Sequence, residues 1–459
     1  MYCLLLIFIS VSLRIPYAHA VLEQFSQLSI ADQTSYQMGY LAPDSPGYID
    51  PAIALKNGNI AEAISLTRPI GYPAFLAALG VNFTYILYTQ ALVLSIIPVC
   101  TFLLVSVPTE NNLLGFGAGL ASAISPTGIA IGSMVTSDAV FASLFAVLFT
   151  ALVYGVLHNS LRWLLFSAVV AGLAILVRPI LIFWPVVSVM ISALISVFQD
   201  RLQNGLWQWL QFYKGRLTSL LILFLIPIVV MVSFAGANYA QNGIFTVSII
   251  GQLTLREYLA VEAEEWGKAR HWPDFAAIRQ NQNILRARLN AMTIQERART
   301  YVPESVAIFE KYPAQTIISF LKNACGNVVA GWVNFSEQLP FSREKLGRIF
   351  GLVYGLESGV RWIGLLMMLC APFICAIAVR INPSPYQRRL VSINFAMTLT
   401  FMFYLTLLGL TFWTGSRIVY PTEILEISTA AILVPVIARA FSPLPARRRA
   451  DVKGADDPN

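Results

Sequence analysis

Long apolar runs separated by short polar connections recur along the chain near 3–20, 84–106, 113–133, 139–157, 163–178, 180–198, 217–236, 359–379, 391–412 and 418–437. Each is close to the ~20 residues a helix needs to cross the hydrocarbon core of a bilayer. Ten such runs predict an all-α, polytopic membrane protein with about ten transmembrane helices, since a helix satisfies its own backbone hydrogen bonds in lipid. Two stretches break the rhythm, residues 21–83 and residues 237–358. The chain therefore divides into an N-terminal transmembrane module (1–236) carrying the first loop (21–83), an amphipathic segment (237–358), C-terminal transmembrane helices (359–441) and a tail (442–459). Within the second stretch, Pro313 to Phe335 is apolar but interrupted by Lys322, Asn323, Asn327 and Asn334. It lies along the membrane interface or forms one more span.

Composition strengthens this picture. The 459 residues are 57% hydrophobic and only 12% charged, about half the charge of a soluble domain, which rules out a large soluble core and disorder alike. A net charge of +7 would suggest nucleic acid in a soluble protein, but here the placement of the cations is the better test. With the N-terminus cytoplasmic, the inner connections and tail hold twelve Lys and Arg, among them Arg162, Arg201, Arg380, Arg388, Arg389 and Arg439. The short outer turns hold little beyond Arg178 and Arg417. Both long stretches then face outward, and long translocated segments escape the charge rule, so the many Arg residues between Asp274 and Thr300 read as a solvated or headgroup-facing helix face.

The first run ends at Ala18-His19-Ala20, like a signal-peptide cleavage site, but no cationic region precedes it and Arg14 interrupts it. It reads as a retained first span whose short cytoplasmic end suggests a start codon further upstream. Five cysteines lack metal-ligand spacing and read as small core residues, and His19, His158 and His271 are too scattered for zinc chemistry. No Walker loop, dinucleotide fingerprint, HExxH or GxSxG is present, and no nucleic-acid partner is expected. An enzyme of this kind needs its activated substrate delivered within the membrane.

Ionisable groups within a bilayer cost about 2.5–3.5 kcal/mol each, so those at its lip are the candidates for chemistry. In the first loop, Ser45 and Pro46 predict a helix start, and the helix runs through Ala52 to Leu55 and stops at Asn57-Gly58. Asp44 then sits beside a helix N-terminus, where it either caps the helix or serves as a general base for an acceptor hydroxyl. Asp50 is a weaker rival. Downstream, Thr67-Arg68-Pro69-Ile70-Gly71-Tyr72-Pro73 fixes a stiff turn that holds Arg68 at the membrane edge, facing a phosphate or a lipid headgroup. Asp138 opens a span on the same side as a cap or a second acid. Arg178-Pro179 and Arg417 with Tyr420-Pro421 reach that side too, followed by Glu423 and Glu426. Guanidiniums bind phosphate through paired hydrogen bonds, so their shared side suggests a phosphorylated lipid.

These residues resemble the integral-membrane glycosyltransferases of the GT-C class that use polyprenyl-phosphate sugars, which include protein O-mannosyltransferases and lipid A aminoarabinose transferases. The resemblance rests on Arg14, Asp44-Ser45 with Tyr48 and Ala52, and Arg68 to Ala77. It continues through Ser125-Pro126, Thr136-Ser137-Asp138, Gly172 with Arg178-Pro179, and Asn238 with Gly243 and Phe245, ending at Arg417 with Tyr420-Pro421. It implies that Asp44 is the catalytic base and Asp138 a second acid in one outward cavity lined by Tyr48, Tyr72 and Tyr420. Arg417, Arg178 and Arg68 would bind the donor phosphate, and transfer would invert the anomeric centre. The acceptor would be a glycan, lipid or protein hydroxyl, at the extracytoplasmic face of a bacterial inner membrane. No cofactor is assigned, and a divalent cation is left open. The rivals from other classes are a transporter or lipid flippase, whose charged path would reach both sides and whose helices would unwind near mid-membrane, and a non-catalytic scaffold.

Overall fold

The computed structural model describes residues 1–26, 41–42, 44–199, 206–269, 275–329, 348–381, 384–410 and 419–440. Arg417, His271, Arg201 and the tail fall outside these residues. Every regular element among the described residues is helical. Seven helical stretches there are long and apolar enough to cross a membrane: Tyr2–Gln24, Phe83–Thr109, Asp138–Leu157, Leu217–Asn242, Gly355–Ile381, Pro385–Leu408 and Tyr420–Ala440. Two shorter apolar helices are Leu161–Val177 and Trp184–Ser196.

In chain order the helices used below are α1 (Tyr2–Ser26), α2 (Pro46–Lys56), α3 (Gly71–Ala78), α4 (Phe83–Leu94), α5 (Ile97–Thr109), α6 (Asn112–Ala123), α7 (Pro126–Ile131), α8 (Asp138–Leu157) and α9 (Leu161–Val177). They continue with α10 (Trp184–Gln199), α11 (Leu206–Asn242), α12 (Val261–Ala269), α13 (Phe275–Asn290), α14 (Ile294–Lys311), α15 (Pro313–Val329), α16 (Arg348–Ile381), α17 (Pro385–Leu408) and α18 (Glu423–Ala440).

The run expected at 113–133 is not one helix. Proline disfavours helical backbone in the residue before it, and Ser125 is extended at φ −56°, ψ 121° while its hydroxyl accepts the Gly128 N–H. The chain restarts as α7, ends at Ile131 and stays non-helical until Asp138 opens α8. From Ser125 to Asp138 nearly every residue is buried. Irregular backbone at membrane depth persists only where protein or a water-filled space surrounds it, and this segment is packed inside the bundle.

The second long stretch folds into a lobe around Ile249, Val261, Ile278, Leu285, Leu289, Ala298 and Tyr301, and Leu66 of the first loop inserts into the same core. The arginines expected on a solvated face divide there. Arg279 and Arg299 are exposed. Helix packing brings carboxylates of the lobe against two others: Arg286, half-buried, pairs with Glu257 at 2.8 Å, and Arg288, itself exposed, with Glu304 at 2.6 Å. α15 is inverted relative to a soluble helix, with Ser319, Asn323 and Asn327 buried and Ile317, Ile318 and Leu321 exposed. Asn327 donates to the Leu408 carbonyl at 3.2 Å, so the polar side faces protein and the apolar side faces outward.

One glycine sets how the first loop meets the bundle. A Cβ on Gly71 would fall 2.7 Å from the backbone carbonyl of Leu176, in the last turn of α9. The missing side chain lets α3 press onto α9 beside Arg178. Gly71→Ala is expected to destabilise the protein by about 1–3 kcal/mol, the range for forcing a methyl into a packed site, read as a lowered unfolding midpoint. An unchanged midpoint would remove this contact as a determinant.

Candidate functional site

The first-loop helix forms where the spacing predicts. α2 spans Pro46–Lys56 and ends at Asn57, followed by Gly58 in the left-handed region at φ +78°. Ser45 holds the cap position without capping. Its hydroxyl accepts from the Ala42 N–H at 2.8 Å and donates to the Val135 carbonyl at 2.8 Å, tying the loop to the buried segment before α8. Asp44 is thereby held at the head of α2, and its Oδ1 takes Arg68 Nη2 at 2.8 Å. Asp50 is exposed on the helix.

From that pair a chain of contacts runs inward. Arg68 Nη1 donates to the Tyr48 hydroxyl at 3.2 Å, and the guanidinium lies 4.8 Å from the Tyr48 ring centre. The Tyr48 hydroxyl shares a 2.9 Å hydrogen bond with Ser137, and the next residue, Asp138, pairs with Arg178 at 2.5 Å. Tyr72 meets Tyr48 edge-on at 5.0 Å and donates to Gln90 at 2.7 Å, while Gln90 donates to the carbonyls of Gly132 and Met134. Six of the eight site residues that the resemblance implies thus lie in one connected group: Asp44, Tyr48, Arg68, Tyr72, Asp138 and Arg178. Arg417 falls outside the described residues.

Tyr420 belongs to a neighbouring cluster. Its ring packs directly on Gly128. Near it Arg14, fully buried, donates to the carbonyls of Gly128 and Ala123 and to Ser10. Arg361 bridges Glu357 at 3.3 Å and Glu423 at 3.2 Å; Ser125 donates to Glu423 and Thr127 to Glu357. Thr422 donates to Glu426 at 3.0 Å. The irregular 125–138 segment therefore serves both groups, touching the acids of α16 and α18 at its start and ending at Asp138. Arg361 and Glu357 were missed because they sit at the head of an apolar run. Their i, i+4 spacing was the available signal.

The lobe is fastened to the irregular segment that carries Arg68. Ile249 N–H donates to the Leu66 carbonyl at 2.8 Å and Ser248 donates to the Thr67 carbonyl at 2.8 Å. Burial pushes the Tyr258 hydroxyl above its ordinary pKa; Arg286 opposes the rise, while the charges of Asp44 and Glu257 add to it. Tyr258 stands in a π-helical turn, Leu255–Ala260, that also carries Arg256 and Glu257. Glu304 joins this turn to α13, taking Arg256 at 2.9 Å and Arg288.

Burial alone would raise the Glu304 carboxyl, but the hydrogen bonds from Arg288 and Arg256 outweigh it and hold the group below the usual carboxylate range. A depressed folded pKa contributes stability that is complete above the unfolded value, near 4.3 for Glu, and is lost as pH falls through the folded value. Acidification below about pH 4.3 is expected to loosen the lobe first, measured as faster protease cleavage between residues 250 and 310. Glu304→Gln is expected to show the loosened pattern already at neutral pH, with little further change on acidification.

Among the described residues no group of three His, Cys, Asp or Glu is arranged to hold a metal ion, so the divalent cation left open by the sequence gains no ligand set there. A cleft of about 440 Å³ lies at the other end of the bundle, against Thr109, Tyr386 and Arg439. Compared with known proteins, the chain matches no family model and no curated sequence.

Proposed function

We propose that the protein is a membrane glycosyltransferase that moves a sugar from a polyprenyl-phosphate donor to an acceptor hydroxyl, with inversion, on the extracytoplasmic side of a bacterial inner membrane. Seven long apolar helices, the two shorter ones and the divided α6–α7 segment together make about ten crossings. Asp44 takes the acceptor proton as the hydroxyl oxygen attacks the anomeric carbon. The bond from that carbon to the phosphate oxygen breaks, and the lipid phosphate leaves with the electron pair.

One observation carries the reading. Two Asp–Arg pairs, Asp44–Arg68 within the first loop and Asp138–Arg178 at the ends of α8 and α9, are joined through Tyr48 and Ser137. Each guanidinium is matched by a carboxylate, so donor phosphate has to compete for it. A phosphate that draws Arg68 away frees Asp44 at the moment a base is needed, and the displaced charge stabilises the leaving group. Incubating the purified protein with polyprenyl-phosphate sugars and an acceptor is expected to release free lipid phosphate. No release with any sugar in the panel would overturn the reading.

A transporter or flippase is the second reading, favoured by the buried irregular backbone between Ser125 and Asp138, a form that transporters use where helices break around a substrate. It differs in outcome: the lipid-linked sugar would cross a proteoliposome membrane intact, with no cleavage at the anomeric carbon.

A further inference from the structure

Gln90 lies in α4, inside a stretch long and apolar enough to cross a membrane, and it is fully buried. A primary amide in such a place has to find protein partners for its two N–H groups and its carbonyl. Gln90 finds all three. Its Nε2 donates to the carbonyls of Gly132 at 3.1 Å and Met134 at 2.8 Å, and its Oε1 accepts from the Tyr72 hydroxyl at 2.7 Å. Two carbonyls facing one end of the amide require the nitrogen there, so the tyrosine proton goes to the other end.

These three bonds join the two halves of the candidate site. On one side Tyr72 meets Tyr48 edge-on at 5.0 Å, and Tyr48 sets its ring against the Arg68 guanidinium and its hydroxyl 3.2 Å from Arg68 Nη1. On the other, the Met134 carbonyl also takes the Thr136 N–H at 2.9 Å, one residue before Ser137 and two before Asp138. The backbone approach is close: a Cβ on Gly132 would lie 2.9 Å from Leu94 Cδ1, one turn further along α4. The Asp44–Arg68 arm and the Asp138–Arg178 arm are thus set against one side chain of α4. The hydrogen bonds of Gln90 reach none of the four charged groups themselves.

We propose that Gln90 is a positioning residue for sugar transfer, holding the two Asp–Arg pairs in register with each other. The proposal rests on the glycosyltransferase reading. A misplacement of about 1 Å at a reacting centre costs about a hundredfold in rate. Without Gln90 the Tyr72 ring is untied, Tyr48 and Arg68 shift with it, and the hold of Arg68 on Asp44 loosens. A carboxylate that loses a neighbouring cation protonates at higher pH.

The full chain, purified in detergent, is assayed across pH as wild type, Gln90→Met, Tyr72→Phe and the double variant, with the polyprenyl-phosphate sugar that wild type cleaves and rates corrected for the folded fraction. Gln90→Met is expected to lower kcat/KM by about ten- to a hundredfold and to move the acid limb upward by about 0.5 pH unit or more. Tyr72→Phe should show the same move at smaller size. It removes a single hydroxyl, so if Gln90→Met does not fold, the acid limb of Tyr72→Phe decides alone. Both changes act through one hydrogen bond, so the double variant should be little slower than Gln90→Met. A rate lowered by the same factor at every pH assigns Gln90 to the fold and overturns the proposal, as do fully additive losses. An active wild type with unaltered variants overturns this proposal alone, whereas an inactive wild type overturns the transfer reading and this proposal with it.

Discussion

Asp44→Asn is expected to leave the protein folded and inserted while lowering sugar transfer by about a hundred- to ten-thousandfold, the usual contribution of a positioned general base. Asn keeps the size and hydrogen-bonding shape of the side chain at the head of α2, where Ser45 rather than Asp44 ties the loop to Val135. The pair with Arg68 is partly exposed, at 19% and 35% for the two side chains, and a pair of that kind contributes about 1 kcal/mol or less. Loss of fold is therefore not the expected cause of lost activity.

The kinetic signature separates the roles. Removing the carboxylate leaves Arg68 without its competitor for the donor phosphate, so KM for the donor should stay level or fall while kcat collapses. Arg68→Ala should do the opposite to KM. In wild type the rate should fall on the acid side as the base protonates, and Asp44→Asn should lose that limb. Full activity in Asp44→Asn removes Asp44 from the mechanism, and disappearance of the protein from the membrane fraction assigns it to the fold instead.

What could be read in advance divides by the range of the interaction that decides it. The limits of α2 follow from Pro46 and from Asn57-Gly58, signals within a few residues, and the structure keeps them. Hydropathy over a window counts apolar residues and ignores one serine and one proline, so 113–133 reads as a span although Ser125-Pro126 divides it. Ser45 shows a competition that local pattern cannot resolve. A hydroxyl at a helix start favours the cap, but a buried carbonyl ninety residues away offers a stronger claim. The need for Gly71 depends on a backbone atom of α9, and the contact between the lobe and Leu66 on chain segments more than 180 residues apart. The candidate acids and arginines were legible because charge at a membrane edge is conspicuous in a chain with so little of it. Their one-to-one pairing was not, since pairing is a matter of distance.

Arg361→Met is expected to have the largest effect on stability, about 3–5 kcal/mol, because it removes the cation that Glu357 and Glu423 share inside the bundle. Arg361 is only 3% exposed and the Glu357 and Glu423 side chains 8% and 14%, so water reaches the two acids little, and Ser125 and Thr127 provide hydrogen bonds without charge. The cost lies in stranding the acids rather than in losing the arginine. Neutralising them should therefore restore what the single change removes: Arg361→Met combined with Glu357→Gln and Glu423→Gln should recover most of the unfolding midpoint, since a buried ion network can often be exchanged for neutral groups of similar volume. If the single variant melts with wild type, the cluster is not a stabilising network, and if the triple variant melts with the single one, stranded charge is not the cause. The same triple variant addresses catalysis. Stable and active protein would confine this cluster to bracing the 125–138 segment. Stable but inactive protein would mean that its charges act on the substrate, extending the site from the Asp44 chain along that segment to α18.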